Sequence, residues 1–95
     1  MAKPIILAVD TEQWVGDALE RDLPKRYGSD YTIHVERSPT TALEHLRHLQ
    51  GTNGEVALLI SGLWLSEMSG IDCLVHAQRF APDAKRLLLT PNACS

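Results

Sequence analysis

The chain alternates short, continuous apolar runs with stretches whose apolar residues recur at helical spacing. Ile5-Ile6-Leu7-Ala8-Val9 is apolar throughout, as expected of a strand buried on both faces in a parallel sheet. From Glu12 the period changes, and Trp14, Val15, Ala18, Leu19 and Leu23 share one helical face. Pro24 lacks an amide donor and is expected to kink or end that helix, with Gly28 closing the segment. Tyr31 to Glu36 alternates and is rich in strand formers, which predicts a second strand. Ser38 followed by Pro39 predicts a helix start, and Ala42, Leu43, Leu46 and Leu49 continue it at helical spacing. Residues 51–54 read as a loop, Val56 to Ile60 as a third buried strand, and Ser61 to Ser69 as a second loop. Ile71, Leu74, Val75 and Phe80 predict the face of a third helix, ended by Pro82, before a fourth strand over Leu87-Leu88-Leu89 that stops at Thr90-Pro91. The order β-α-β-α-β-α-β predicts an α/β fold with a parallel sheet and right-handed crossovers.

With 95 residues the chain has room for a single domain, taken as residues 1–95. Its formal charge of -3 and its scattered basic residues argue against a nucleic-acid surface. The N-terminal apolar run is too short for a signal-peptide core and is followed by Asp10, and no apolar stretch is long enough to cross a bilayer. A cytoplasmic protein without a membrane partner is therefore expected. The two cysteines, Cys73 and Cys94, lack zinc-motif or redox spacing and read as reduced thiols.

Three local signals converge on a family. The first strand ends in Val9-Asp10-Thr11-Glu12, and the third runs into a loop ending in Met68-Ser69-Gly70-Ile71-Asp72. Pro82-Asp83-Ala84-Lys85 then precedes a strand ending in Thr90. Over essentially its whole length the chain resembles the receiver domain of two-component response regulators. The resemblance implies a doubly wound, flavodoxin-like parallel sheet, here with strand order 2-1-3-4, and a site at the carboxyl ends of strands 1 and 3. It also implies a magnesium ion held by two acidic residues after strand 1, and an aspartate ending strand 3 that takes up a phosphoryl group.

Matched residue by residue, little of that acidic pocket survives. Asp10 falls on the first acidic position, Thr11 on the second with Glu12 beside it, and Gly62 on the phosphoacceptor. Thr90 matches the hydroxyl residue after strand 4, and no lysine of a fifth strand is present. The expectation is a vestigial pocket formed by Asp10, Thr11, Glu12, Gly62 and Thr90, with no phosphorylation, no metal, no cofactor and no enzymatic activity. Asp10 and Glu12 are expected to serve as negative charges at the start of the first helix.

The resemblance further implies that the chain is truncated after strand 4, which becomes an edge. Leu87, Leu88 and Leu89 would point to alternate sides of that edge and leave both faces apolar. The loop residues Leu63, Trp64 and Leu65 need burial too, either in an interface or by packing over the vacated pocket. These six residues are the interface candidates, and a homodimer is the expected assembly. Histidine kinases, other receivers and output proteins are the partners the resemblance implies. His45 and His48 lie one helical turn apart, without a third ligand, and read with His34 and His76 as structural or solvated. Ser61, Ser66 and Ser69 lack a paired base. The leading reading is a phosphorylation-independent pseudo-receiver. The alternatives are a piece of a larger response regulator completed in trans, and a small cofactor-binding or enzymatic α/β domain.

Overall fold

A computed structural model describes residues 3–52 and 54–90. Its elements are β1 (Ile5–Val9), α1 (Gln13–Tyr27), β2 (Thr32–Glu36), α2 (Pro39–Gln50), β3 (Val56–Gly62), α3 (Gly70–Gln78) and β4 (Lys85–Leu89). The four strands are parallel and ordered β2-β1-β3-β4, as the family resemblance implied. β3 runs two residues beyond the expected Ile60, because Ser61 and Gly62 keep pairing with Leu88 and Leu89.

All five residues of β1 are buried, and their alternation builds two separate cores. Ile5, Leu7 and Val9 pack with Ala42 and Leu46 of α2 and Cys73 and Ala77 of α3. Ile6 and Ala8 join Ile60 on the other face, against Leu19 and Leu23 of α1. Two helices thus cover one face and a single helix the other. α1 packs toward β2, so the α1 face of β3 and β4 is left open. A cleft of about 490 Å³ lies there, lined in part by Ile6, Leu19, Leu58, Ile60, Leu87 and Leu89.

Local chemistry explains the helix boundaries. The Ser38 hydroxyl accepts from the Thr41 amide at 3.2 Å with Pro39 in the first turn, as expected of a capped start. Ser69 caps α3 in the same way, accepting from Asp72 N at 3.1 Å. The expectation for Pro24 is corrected, since α1 continues through it to Tyr27. Proline deprives the helix of one donor, but Glu20, whose carbonyl is affected, is exposed to water, and the Pro24 carbonyl still accepts from Gly28 N at 2.9 Å. The face of α3 is also corrected: Gly70, Cys73 and Ala77 are buried, whereas Ile71 and Val75 are more than half exposed. Small residues face the sheet because α3 sits so close to β3, as the Gly62–Gly70 approach below makes plain.

His34 and His45 are not isolated surface groups. Their rings meet edge to face at 4.5 Å, and His45 Nδ1 lies 2.9 Å from a Glu36 carboxylate oxygen. β2 carries His34 and Glu36 on the same side and α2 lays His45 over them, a pairing invisible to a reading of α2 alone. Cys94 and Pro91 lie outside the described residues.

Candidate functional site

The carboxyl ends of β1, β3 and β4 come together, Val9 beside Ser61 and Gly62 beside Leu89, and the residues that follow open into one cleft. Its volume is about 560 Å³, and Asp10, Glu12, Trp14, Val15, Leu63, Trp64, Leu89 and Thr90 line it.

Asp10 follows the buried β1 and is itself only 5% exposed. Its amide donates to the Glu36 carbonyl at 3.2 Å, and its Oδ1 accepts from the Glu12 amide at 2.9 Å. That second bond turns the chain from strand into helix in the manner of an Asx turn. The carboxylate therefore sits at the start of α1, where the helix dipole favours negative charge. Glu12 is the N-cap residue, yet its own side chain makes no capping hydrogen bond.

Gly62 stands directly against Asp10. A Cβ on Gly62 would collide with Asp10 Oδ2 and stand 2.9 Å from Asp10 Cγ. The φ of Gly62 is not positive, so glycine serves here for space and not for backbone freedom. Ser61 is fully buried, and its hydroxyl donates to the Gly62 carbonyl at 2.9 Å. It is a satisfied core hydroxyl.

The loop after β3 is closed by backbone bonds. Leu63 N donates to Leu89 O at 3.0 Å, Gly70 N donates to Leu63 O at 2.7 Å, and Trp64 bridges to Ser69. Thr40 Oγ1 lies 2.9 Å from both carboxylate oxygens of Glu67, which ties the loop to the start of α2. Within this frame Leu65 packs against the α2–α3 core, Leu63 is half-buried at the cleft, and Trp64 is 69% exposed.

The cleft thus gathers Asp10, Glu12 and Thr90 of the expected pocket, with Gly62 beneath Asp10 and Thr11 outside the lining. Leu88 faces α3, Leu87 lines the open sheet face, and Leu89 reaches both clefts. What the sequence reading lacked was that Trp14 and Trp64 line the same cleft. Trp14, which the sequence places on the apolar face of the first helix, is 72% exposed and lines the cleft. Its place in the first turn of α1, two residues beyond Glu12, was the available signal.

The residues at the cleft do not fit the magnesium that the fold family implies. Two carboxylates are present, position 62 offers no oxygen ligand from a side chain, and no group of three or more His, Cys, Asp or Glu residues is found among the described residues.

No family model matches the chain, and no curated protein matches it. Solved structures do. The signal receiver domain of an HD domain-containing protein from Pseudomonas fluorescens Pf-5 is 32% identical, with a TM-score of 0.76 over 96% of this chain and 66% of its own. An uncharacterized protein from Neptuniibacter caesariensis is 35% identical, with a TM-score of 0.71 over 93% of this chain and 60% of its own. A response regulator from Burkholderia pseudomallei, solved with a phosphorylated aspartic acid, a calcium ion and citrate, is 22% identical, with a TM-score of 0.75 over 96% of this chain and 49% of its own. The chain spans between about half and two thirds of the length of these three. With its sheet order, its site at the strand ends and these likenesses, the chain belongs to the receiver domains of response regulators.

Proposed function

We propose that this receiver domain acts in signal transduction by binding a protein partner, without taking up a phosphoryl group and without enzymatic activity. One observation carries the reading: Gly62 stands at the position that the resemblance assigns to the acceptor, and the Asp10 carboxylate fills the space a side chain there would need. A phosphoryl group has no oxygen nucleophile to bond at position 62, and two carboxylates without a third ligand hold a magnesium ion weakly. The open α1 face of β3 and β4 supports a second copy as the first partner, since large apolar patches of soluble proteins mark interfaces. Among foreign partners, a histidine kinase, another receiver or an output protein fits a module of this family. A cytoplasmic setting is part of the same proposal, and no helix among the described residues is long and apolar enough to cross a membrane.

The direct test is treatment with a small-molecule phosphodonor and magnesium, followed by intact-mass measurement. No acid-stable or labile gain of one phosphate is expected. A labile gain that maps to Asp10 would overturn the reading. A second reading, that the chain is one part of a longer response regulator whose other elements cover this face, is favoured by its partial span of the solved relatives. Light scattering separates the two: the first gives a dimer, the second a monomer that pairs only when the remaining elements are added.

A further inference from the structure

The chain has two tryptophans, and both line the cleft over Asp10. They are 72% and 69% exposed, so each presents most of its indole to solvent. The ring face is the negative end of an aromatic quadrupole. Asp10 lines the same cleft, and its Oδ1 is bonded to Glu12 N. Its Oδ2 has no hydrogen-bond partner among the described residues, and it is not sealed away, because no fully buried side-chain oxygen is left unsatisfied. This oxygen therefore opens to the cleft that Asp10 lines. Glu12 adds a second carboxylate at the rim, and no lysine, arginine or histidine is among the lining residues. The lining thus joins two indoles to two carboxylates, and a nearly buried carboxylate oxygen is left without a donor.

We infer that this cleft binds the guanidinium group of an arginine on a protein partner. The inference rests on the protein-binding reading above and names the group through which that partner is held. A planar guanidinium stacks on indole faces, is weakly hydrated, and donates several N–H bonds to a carboxylate. A quaternary ammonium would satisfy the rings and leave Oδ2 without a donor. A divalent metal would find two carboxylates and no third ligand. The cleft, at about 560 Å³, also has the size of a ligand site, with room for a side chain and part of its backbone.

Both tryptophans line the cleft, so fluorescence excited beyond the absorption of Tyr27 and Tyr31 reports on this site alone. The experiment is a fluorescence titration of the full chain with a capped Gly-Arg-Gly peptide, the same peptide carrying neutral, isosteric citrulline, and arginine amide alone. A saturable change is expected with the arginine peptide, weakened by added salt, and none with citrulline. Asp10→Asn keeps an oxygen for Glu12 N and removes the charge, and is expected to weaken binding by about tenfold. Trp64→Ala, at an exposed position, is expected to weaken it as well, read through Trp14. Should Asp10→Asn fail to fold, Glu12→Gln at the exposed rim tests the same charge. Equal binding of citrulline, or affinity unchanged in the charge variants, overturns the inference. Equal affinity for arginine amide alone overturns the assignment to a protein partner in favour of a small cation. These failures leave the phosphodonor result untouched, whereas phosphate on Asp10 would remove the protein-binding reading and this inference together.

Discussion

The carboxylate of Asp10 stands where a side chain on Gly62 would project, with Asp10 Cγ 2.9 Å and Oδ1 3.3 Å from the Cβ that Gly62 lacks. The two residues come from neighbouring central strands and meet because β1 and β3 are in register, Val9 opposite Ser61. Asp10 is in turn held by Glu12 N, so it cannot swing away without losing that bond. Gly62→Ala is therefore expected to overpack the site and cost about 1–3 kcal/mol. For a domain of this size that lowers Tm by at least about 4 °C. The cost should be coupled to Asp10. In an Asp10→Ala background the same substitution should lose most of its effect, a coupling that a double-mutant cycle by urea denaturation measures directly.

Gly70 makes a harder contact. A Cβ there would collide with the Gly62 carbonyl oxygen and stand 2.9 Å from both its carbonyl carbon and Leu88 Cδ1. The obstacle is strand backbone, which cannot rotate out of the way as a carboxylate can. Gly70 N also donates to Leu63 O at 2.7 Å, so moving α3 outward breaks the closure of the loop. Gly70→Ala is expected to destabilise the fold more than Gly62→Ala, with a lower urea midpoint at an unchanged slope. A midpoint equal to that of wild type would mean that α3 sits farther from β3 than the Gly62–Gly70 contact requires.

These two glycines show how far the sequence could be read. Position 62 was legible as a glycine at the end of the third strand, and position 70 as part of a loop signature, because both lie at fixed distances from strands that periodicity reveals. The clash that each would cause was not legible, because it depends on how closely α3 and Asp10 approach β3. The same limit explains α3, whose large residues Ile71 and Val75 looked like its inner face. A helix seated this close to a sheet buries Cys73 and Ala77 instead. Trp14 followed the helical stripe of α1 on paper, yet it sits in the first turn, beyond the end of β1, where it reaches the cleft rim and not the sheet.

The partly buried His34 ring is expected to make stability depend on pH. Burial holds the His34 ring below its ordinary titration range, helped by the adjacent His45 and opposed by Glu36. A base whose pKa is lowered on folding binds its proton more readily in the unfolded chain. Its contribution is thus fully present above the unfolded value near 6.5 and is lost as pH falls through the folded one. Urea midpoints are expected to be higher at pH 8 than at pH 5, and the difference should shrink in His34→Gln. A His34→Gln protein with the full wild-type dependence would assign the effect to other groups.

Cys73 offers a probe of the α3 face. It is buried in the α2–α3 core, and burial pushes its thiol up to about 11. At pH 8 only about one thiol in a thousand is then ionised, and the thiolate is the reactive form. Iodoacetamide should leave Cys73 unmodified in the native protein and label it fully in urea, as read by mass spectrometry of the peptide that contains it. Rapid labelling of the native chain would show that α3 detaches from the sheet.

Leu87 tests the assembly. It is 48% exposed on β4, opposite the buried Ile60 of β3, on the face that α1 leaves open. Burying such a side chain under a second copy contributes up to about 1.5–3 kcal/mol per protomer, whereas a carboxylate there would have to be desolvated without a partner. Leu87→Glu is therefore expected to convert a dimer into a monomer, seen by light scattering on a sizing column over a wide range of dilution. Because the side chain is half in water, the monomer itself should change in stability by no more than about 0.5 kcal/mol. That separates loss of an interface from loss of the fold. A wild-type chain that is monomeric at every concentration would remove the second copy as partner, and a Leu87→Glu protein that still dimerises would place the interface elsewhere than the open face of β3 and β4.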